Sequence, residues 1–251
     1  NPDNKIASIQ IGEGCTSNCG FCSTKIAKGE LYSYPKEKIV EEAKKYTNQG
    51  YKRINLTSTD NGCYGNDLGY NLVDLLKNII QIEGNFEVRV GMANPEHVKK
   101  YYKELIKVYK NEKVIKFLHI PLQSGSDKVL KEMNRKYTVE EYKEIIKEFR
   151  KEIPGITIAT DIIAGYPTET QEDFEKTVEL VKEIKFEVIN ISKFASRPRT
   201  KASKLKQLQS EIIKERSVEL TKVYLESKEN KYLVNEEIIE ILKECYDPEI
   251  G

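Results

Sequence analysis

Between residues 7 and 194 the chain alternates six short apolar, β-branched runs with longer stretches whose apolar residues recur at helical spacing. Strands are predicted over 7–11, 53–57, 86–91, 117–120, 157–164 and 188–194, and helices over 37–49, 72–82, 96–109, 138–151 and 171–184. Such alternation means a parallel sheet with helices outside it. It does not by itself separate a doubly wound sheet from a barrel. The residues that carry chemistry, however, gather after the carboxyl ends of the strands, as they do in barrels. At 251 residues and 28.9 kDa one large core is feasible, burying about three-quarters of the unfolded surface. A last helix is expected from about 206 to 232, with Leu208, Ile212, Leu220 and Tyr224 on one face. The expected division is therefore a core over 1–205, and over 206–251 a helix and the start of an accessory domain. Opening on Asn1 and stopping just after the apolar stretch 238–242, the chain reads as a piece of something longer.

Cys15, Cys19 and Cys22 stand within eight residues, directly after the first strand, in a loop opened by Gly12 and Gly14. Three thiolates so spaced can each hold one corner of an iron–sulfur cube, leaving one iron without a protein ligand. An open iron can chelate the amino and carboxylate groups of a small molecule. Zinc is the weaker alternative: the next cysteine, Cys63, is far along the chain, and neither His97 nor His119 stands at finger spacing. Five cysteines with three crowded together also make a poor disulfide framework.

Charged residues make up 32% of the chain and balance to +1, so no whole-protein field draws it onto nucleic acid or membrane. No apolar run approaches the roughly 18 residues that span a bilayer, and no leader opens the chain. A cytoplasmic protein with no membrane partner is expected. The local exception is the stretch 197–206, where Arg197, Arg199, Lys201, Lys204 and Lys206 stand without one acid, a pattern suited to RNA phosphates or to plain solvation.

Other residues stand out by position. The loop after the second strand, Thr57, Ser58 and Thr59 followed by Asp60 and Asn61, is too long and polar for a connector, though Asp60 and Asn61 also suit an Asx turn. Gln123 and Ser124 follow the fourth strand, and Ser126 or Asp127 can cap the next helix. Thr170 and Asp173 stand at capping-box spacing. Arg135 offers a fork for a carboxylate, or an ordinary ion pair. Asp161 interrupts an apolar strand, so it binds polar ligand groups or pairs with a residue such as Arg89.

The cysteine spacing, with Phe21 before the last cysteine, resembles the signature of the radical S-adenosylmethionine superfamily. That resemblance implies a partial (β/α)6 TIM-like barrel, open on one side, with a C-terminal helical extension. It implies a [4Fe–4S] cluster on Cys15, Cys19 and Cys22 whose free iron holds the methionine end of S-adenosylmethionine, and reductive cleavage of the sulfonium to a deoxyadenosyl radical. Phe21 then packs near the adenine. Thr57, Ser58 and Thr59 occupy the strand end that receives the methionine amino group, although the Gly-Gly-Glu often seen there is missing. Arg135 faces the methionine carboxylate, and Gln123, Ser124 and Asp161 complete the cofactor-binding set.

Four ordered motifs narrow the resemblance: residues 14–24 around the cysteines, 121–127, 133–138 and 161–170 look like the radical domain of the methylthiotransferases. Residues 23–24, 29–35 and 58–65 are most similar to the archaeal and eukaryotic branch. That branch acts on threonylcarbamoyladenosine beside the tRNA anticodon, with an electron donor such as a flavodoxin or ferredoxin, and the resemblance names no sulfur donor. Competing readings are a relative acting on a ribosomal protein side chain and a non-catalytic RNA-binding or zinc-stabilised domain. Two departures matter. Only Cys63 and Cys245 remain for the family's second cluster, so this stretch alone is expected to generate the radical without finishing sulfur insertion. Arg199 stands where a glycine is expected after Arg197 and Pro198.

Overall fold

A computed structural model describes residues 5–229; Cys245, the stretch 238–251 and the end of the last predicted helix lie outside them. The strands are β1 (Ile6–Gln10), β2 (Gly12–Glu13), β3 (Tyr32–Ser33), β4 (Arg53–Thr57), β5 (Glu87–Val90), β6 (Phe117–His119), β7 (Thr157–Ala164) and β8 (Val188–Lys193). The helices are α1 (Thr24–Lys28), α2 (Lys36–Asn48), α3 (Leu72–Ile79), α4 (Pro95–Val98), α5 (Tyr102–Tyr109), α6 (Asp127–Glu132), α7 (Val139–Glu152), α8 (Gln171–Ile184) and α9 (Ser210–Glu229).

Two parallel three-stranded sheets, ordered β1-β4-β5 and β6-β7-β8, meet where Val88 bridges Val114 and the Ala93 N–H donates to the His119 carbonyl at 2.9 Å. Six parallel strands in chain order thus form a partial barrel, and among the described residues no ladder joins β8 to β1. The antiparallel β2–β3 pair is a small addition at the mouth.

Alternation along the strands sorts the two faces. Ile9, Ile54, Leu56, Val88, Leu118, Ile158 and Ile162 are buried in the main apolar core with the helices. Burying each is worth about 1.5–3 kcal/mol. Four helices start where a side chain satisfies their first N–H groups: Asn71, Thr138 and Thr170 form capping boxes at α3, α7 and α8, and Ser126 accepts from Val129 N at α6.

The helix expected over 96–109 is two helices. Asn94 caps α4 with Pro95 in its first turn, and tight bonds from Lys100 N to His97 O and Tyr101 N to Val98 O close it. Tyr101 leaves helical geometry at φ −143°, buries its ring and donates its hydroxyl to Gly62 O at 2.7 Å. α9 begins at Ser210 because residues 202–204 form a 3-10 turn and the Gln207 amide donates to the carbonyls of Ala202 and Leu205. It packs on α8 and β8, tied by Arg216 to Glu169 and by the Tyr224 hydroxyl to Glu187 O.

Candidate cluster and cofactor site

Cys15, Cys19 and Cys22 lie between β2 and α1, at the carboxyl end of the barrel, and carry free thiols. Their loop is pinned from several sides. Gly14 sits at φ +67° where a Cβ would lie 2.0 Å from the Glu30 carbonyl, so only glycine fits. Lys25 Nζ donates to Cys15 O at 2.5 Å, and Cys22 N–H to Cys19 O at 3.2 Å. The Gly20 N–H donates to Met133 O at 2.8 Å, and Gly20 O accepts from Ala202 N at 2.9 Å. Phe21 rests on a small apolar cluster containing Val129, Met133, Tyr166, Phe194 and Ala202.

Arg135 is buried against this loop. Its Nη1 is 3.2 Å from Cys19 Sγ, Nη2 donates to Pro121 O at 3.1 Å, and Nε donates to the Tyr137 hydroxyl at 3.0 Å. Burial pushes the Cys19 thiol up, and the guanidinium opposes that. Three free thiols within eight residues, on a fixed backbone and with a cation against one, are a donor set that fits three corners of an iron–sulfur cube.

Beneath the loop, the strand face away from the helices is polar. Ser8, Asn55 and Arg89 share one register across β1, β4 and β5, and Gln10 pairs with Thr57 one step nearer the mouth. Thr57 donates to Ile9 O at 3.3 Å, while the buried Ser58 Oγ and Asn55 Oδ1 have no hydrogen-bond partner in the protein. Thr59 is half-buried beside them. On the other sheet Asp161 pairs with His119, whose Nε2 lies 3.1 Å from both carboxylate oxygens, rather than with Arg89, whose guanidinium lies over the Phe117 ring at 4.7 Å. Gln123 takes a left-handed φ of 73° and donates its N–H to Asp161 O at 2.8 Å. Ser124 is fully buried, with its hydroxyl accepting from Ser126 N.

Arg197, Arg199, Lys201 and Lys204 are all exposed. The buried Thr200 orders their turn by donating to Arg197 O at 2.7 Å, and Ala202 bonds directly to the cluster loop. The basic stretch and the cysteines are thus neighbours. Gln123, Asn134 and Arg199, three of the four non-glycine residues with positive φ among those described, border this mouth.

Sequence spacing did not find the layer under Cys15. Asp60 does form the Asx turn, accepting from Gly62 N at 2.9 Å, and its Oδ1 also accepts from Asn94 N at 3.0 Å. Its Oδ2 lies 3.7 Å from Cys15 Sγ and 3.6 Å from His97 Nε2. Cys63, fully buried in the turn over residues 61–63, completes a group in which the Cys15, Asp60 and Cys63 ligand atoms lie within 4.8 Å of one another. A hydrogen bond with Cys63 pulls the Cys15 thiol down and pushes Cys63 up, and burial pushes Asp60 up. The only hints in the chain were the Asn94-Pro95 helix start and the Asp60-Asn61-Gly62 turn.

The profile of the Radical SAM superfamily matches residues 9–181, well over half of the chain. The chain belongs to that superfamily. It is 48% identical over 225 residues, 90% of its length and 53% of the relative's, to the probable threonylcarbamoyladenosine tRNA methylthiotransferase of Pyrococcus horikoshii. It is 43% identical over 221 residues to the human threonylcarbamoyladenosine tRNA methylthiotransferase, covering 87% of this chain and 38% of that one. The chain spans about half the length of the archaeal relatives it matches. In fold it is similar to a radical S-adenosylmethionine methyltransferase from Kitasatospora setae, with a TM-score of 0.65 at 18% identity over 78% of this chain and 38% of the other. The cysteine loop and the polar residues of β4, β5 and β7 all lie within the matched residues.

Proposed function

We propose that this radical SAM chain is the catalytic core of a tRNA methylthiotransferase that converts threonylcarbamoyladenosine beside the anticodon to its 2-methylthio derivative. The observation that carries this reading is a three-thiol loop set over a polar barrel face, in a chain 48% identical to a relative bearing that name. When bound, a [4Fe–4S] cluster with S-adenosylmethionine supplies reductive cleavage of the sulfonium. The protein's part is to hold and orient. Cys15, Cys19 and Cys22 hold the cluster, Arg135 sets its positive charge against the Cys19 sulfur, and Phe21 closes the adenine side. Thr57, Ser58 and Thr59 receive the cofactor's amino group, for which the unpartnered Ser58 Oγ is a ready acceptor. Gln123, Ser124, Arg135 and Asp161 complete the cofactor-binding set. Arg197, Arg199, Lys201 and Lys204 contact tRNA phosphates next to the loop.

An electron donor such as a flavodoxin or ferredoxin serves the cluster, and the work is cytoplasmic; among the described residues no helix is long and apolar enough to cross a membrane. Residues 1–205 form the radical core, and 206–251 lead through α9 toward an accessory domain. Anaerobic reconstitution tests the reading: about four irons per chain are expected, with cleavage of S-adenosylmethionine. Cys22→Ala is expected to abolish the cluster absorbance and all cleavage, and cleavage retained by that variant overturns the ligand assignment.

A further inference from the structure

The layer beneath Cys15 has the composition of a second kind of metal site. Cys15 and Cys63 offer sulfur, Asp60 oxygen and His97 imidazole nitrogen, and all four residues are more than nine-tenths buried. Tetrahedral zinc with Zn–S of about 2.3 Å and Zn–O or Zn–N of about 2.1 Å sets ligand atoms about 3.6 Å apart for S and O, about 3.4 Å for O and N, and about 3.8 Å for two sulfurs. The protein has 3.7 Å between Cys15 Sγ and Asp60 Oδ2, and 3.6 Å between Asp60 Oδ2 and His97 Nε2. Cys63 Sγ lies within 4.8 Å of both Cys15 Sγ and the Asp60 carboxylate. Cys15, Asp60 and Cys63 therefore need to move by no more than about 1 Å to close on one ion, and His97 joins them by turning Nε2 inward from its place 3.6 Å from Asp60 Oδ2.

The surroundings favour a preformed site. Asp60 is fixed through Oδ1 by the N–H groups of Gly62 and Asn94, which leaves Oδ2 turned toward Cys15 and His97. His97 is held on the one-turn helix α4, and Nε2 is the ring nitrogen with partners, at 3.0 Å from Ser17 Oγ and 3.2 Å from Thr16 Oγ1. Cys63 has no part in the three-thiol loop, yet it is buried beside that loop's first cysteine. Carboxylate oxygen and imidazole beside two sulfurs suit a borderline divalent ion of the zinc type.

We propose that in the cluster-free protein Cys15, Cys63, Asp60 and His97 bind one zinc-type divalent ion, in a closed site that shares Cys15 with the cluster loop. Binding exchanges the two thiol protons for the ion and changes no oxidation state. Because Cys15 cannot serve both sites, an ion held here delays cluster assembly, and removing Cys63 frees Cys15.

The test uses the full chain stripped of iron under anaerobic conditions and titrated with cobalt(II) alone, whose visible bands report four-coordination and whose near-ultraviolet bands report thiolate ligation. One cobalt per chain is expected with both signatures. Cys63→Ala and Cys63→Ser should each weaken binding at least ~100-fold, more than loss of a supporting contact around a metal site. The double variant Cys19→Ser/Cys22→Ser should bind cobalt within about threefold of the parent. Zinc added before reconstitution should slow cluster assembly in the parent and not in Cys63→Ala. The proposal is overturned if the Cys63 variants bind cobalt like the parent, if the Cys19/Cys22 variant loses it, or if no four-coordinate band appears. These outcomes are separable from failure of the cluster reading, which is decided by Cys22→Ala in reconstituted protein.

Discussion

Arg135 reaches the sulfur of Cys19 at 3.2 Å while its other nitrogens bind Pro121 O and the Tyr137 hydroxyl. One guanidinium thereby joins the cluster loop to the segment after β6, across a large sequence separation. Its removal leaves a buried carbonyl and hydroxyl without this donor. Arg135→Ala is expected to lower the unfolding free energy by about 2–3 kcal/mol. Arg135→Lys should recover only part of that, since an ammonium on a flexible stem cannot address three partners in fixed directions. Urea denaturation of the cluster-free chain measures both, and a loss under about 0.5 kcal/mol for Arg135→Ala would show the contact to be incidental.

Asp173 joins the caps of two helices. Its Oδ2 accepts from Thr170 N, Thr170 Oγ1 and Lys128 Nζ, and its Oδ1 accepts from Ser126 Oγ at 2.7 Å. Burial alone would push this carboxyl up, but the Lys128 ammonium and the Thr170 and Ser126 donors outweigh it and hold it well below the usual carboxylate range. A folded-state pKa below the unfolded value of about 3.9 contributes stability above that pH and loses it as pH falls toward the folded value. Asp173→Asn should therefore cost about 2 kcal/mol at neutral pH. The gap between parent and variant should shrink once pH drops below about 4, and a gap that stays constant through pH 3 would refute the charge-based account.

Gly14 and Gly29 separate two reasons for glycine. Both have positive φ, +67° and +76°, but a Cβ on Gly14 meets the Glu30 carbonyl at 2.0 Å whereas one on Gly29 meets nothing within 4 Å. Gly29, at ψ −152°, lies in a region open essentially to glycine, so Gly29→Ala should cost the backbone term alone, about 1–3 kcal/mol. Gly14→Ala adds a clash with immovable backbone and should cost more than about 3 kcal/mol, with poor cluster uptake. Equal unfolding midpoints for the two variants would mean that the loop yields around Gly14.

The sequence exposed the parts of this fold that depend on local pattern. Alternating runs such as Ile6–Gln10 and Thr157–Ala164 marked strands, and Thr170 with Asp173 marked a helix start, because period and capping are written in adjacent residues. The three-cysteine loop was legible because its thiols stand close together in the chain. The break at Tyr101 was not, since it depends on a hydrogen bond to Gly62 that only tertiary packing makes available. Spacing along the chain gives no link from Cys63 or His97 to Cys15, yet the barrel brings both beside it. The pairing of His119 with Asp161 is not legible in the sequence, because which residues face each other across β6 and β7 depends on register, and register is not read from either strand alone.

Arg199 combines a cost and a use in one residue. It sits at φ +67°, where a side chain costs about 1–2 kcal/mol and glycine costs nothing, and it is exposed beside the cluster loop. Glycine gives back part of the gain through the larger freedom of the unfolded chain, about 0.5–1 kcal/mol. Arg199→Gly is thus expected to leave stability unchanged or raise it by about 1 kcal/mol, while removing one positive charge from the proposed tRNA surface. A tRNA titration over a range of salt should show weaker binding with a slope shallower by about one ion, and Arg197→Ala/Lys201→Ala/Lys204→Ala a slope shallower by up to about three. Measuring stability and affinity on the same Arg199→Gly protein separates the two roles, because a folding defect would lower both together. If tRNA binding and its salt slope match the parent in both proteins, residues 197–204 do not touch RNA, and the strained arginine needs another explanation.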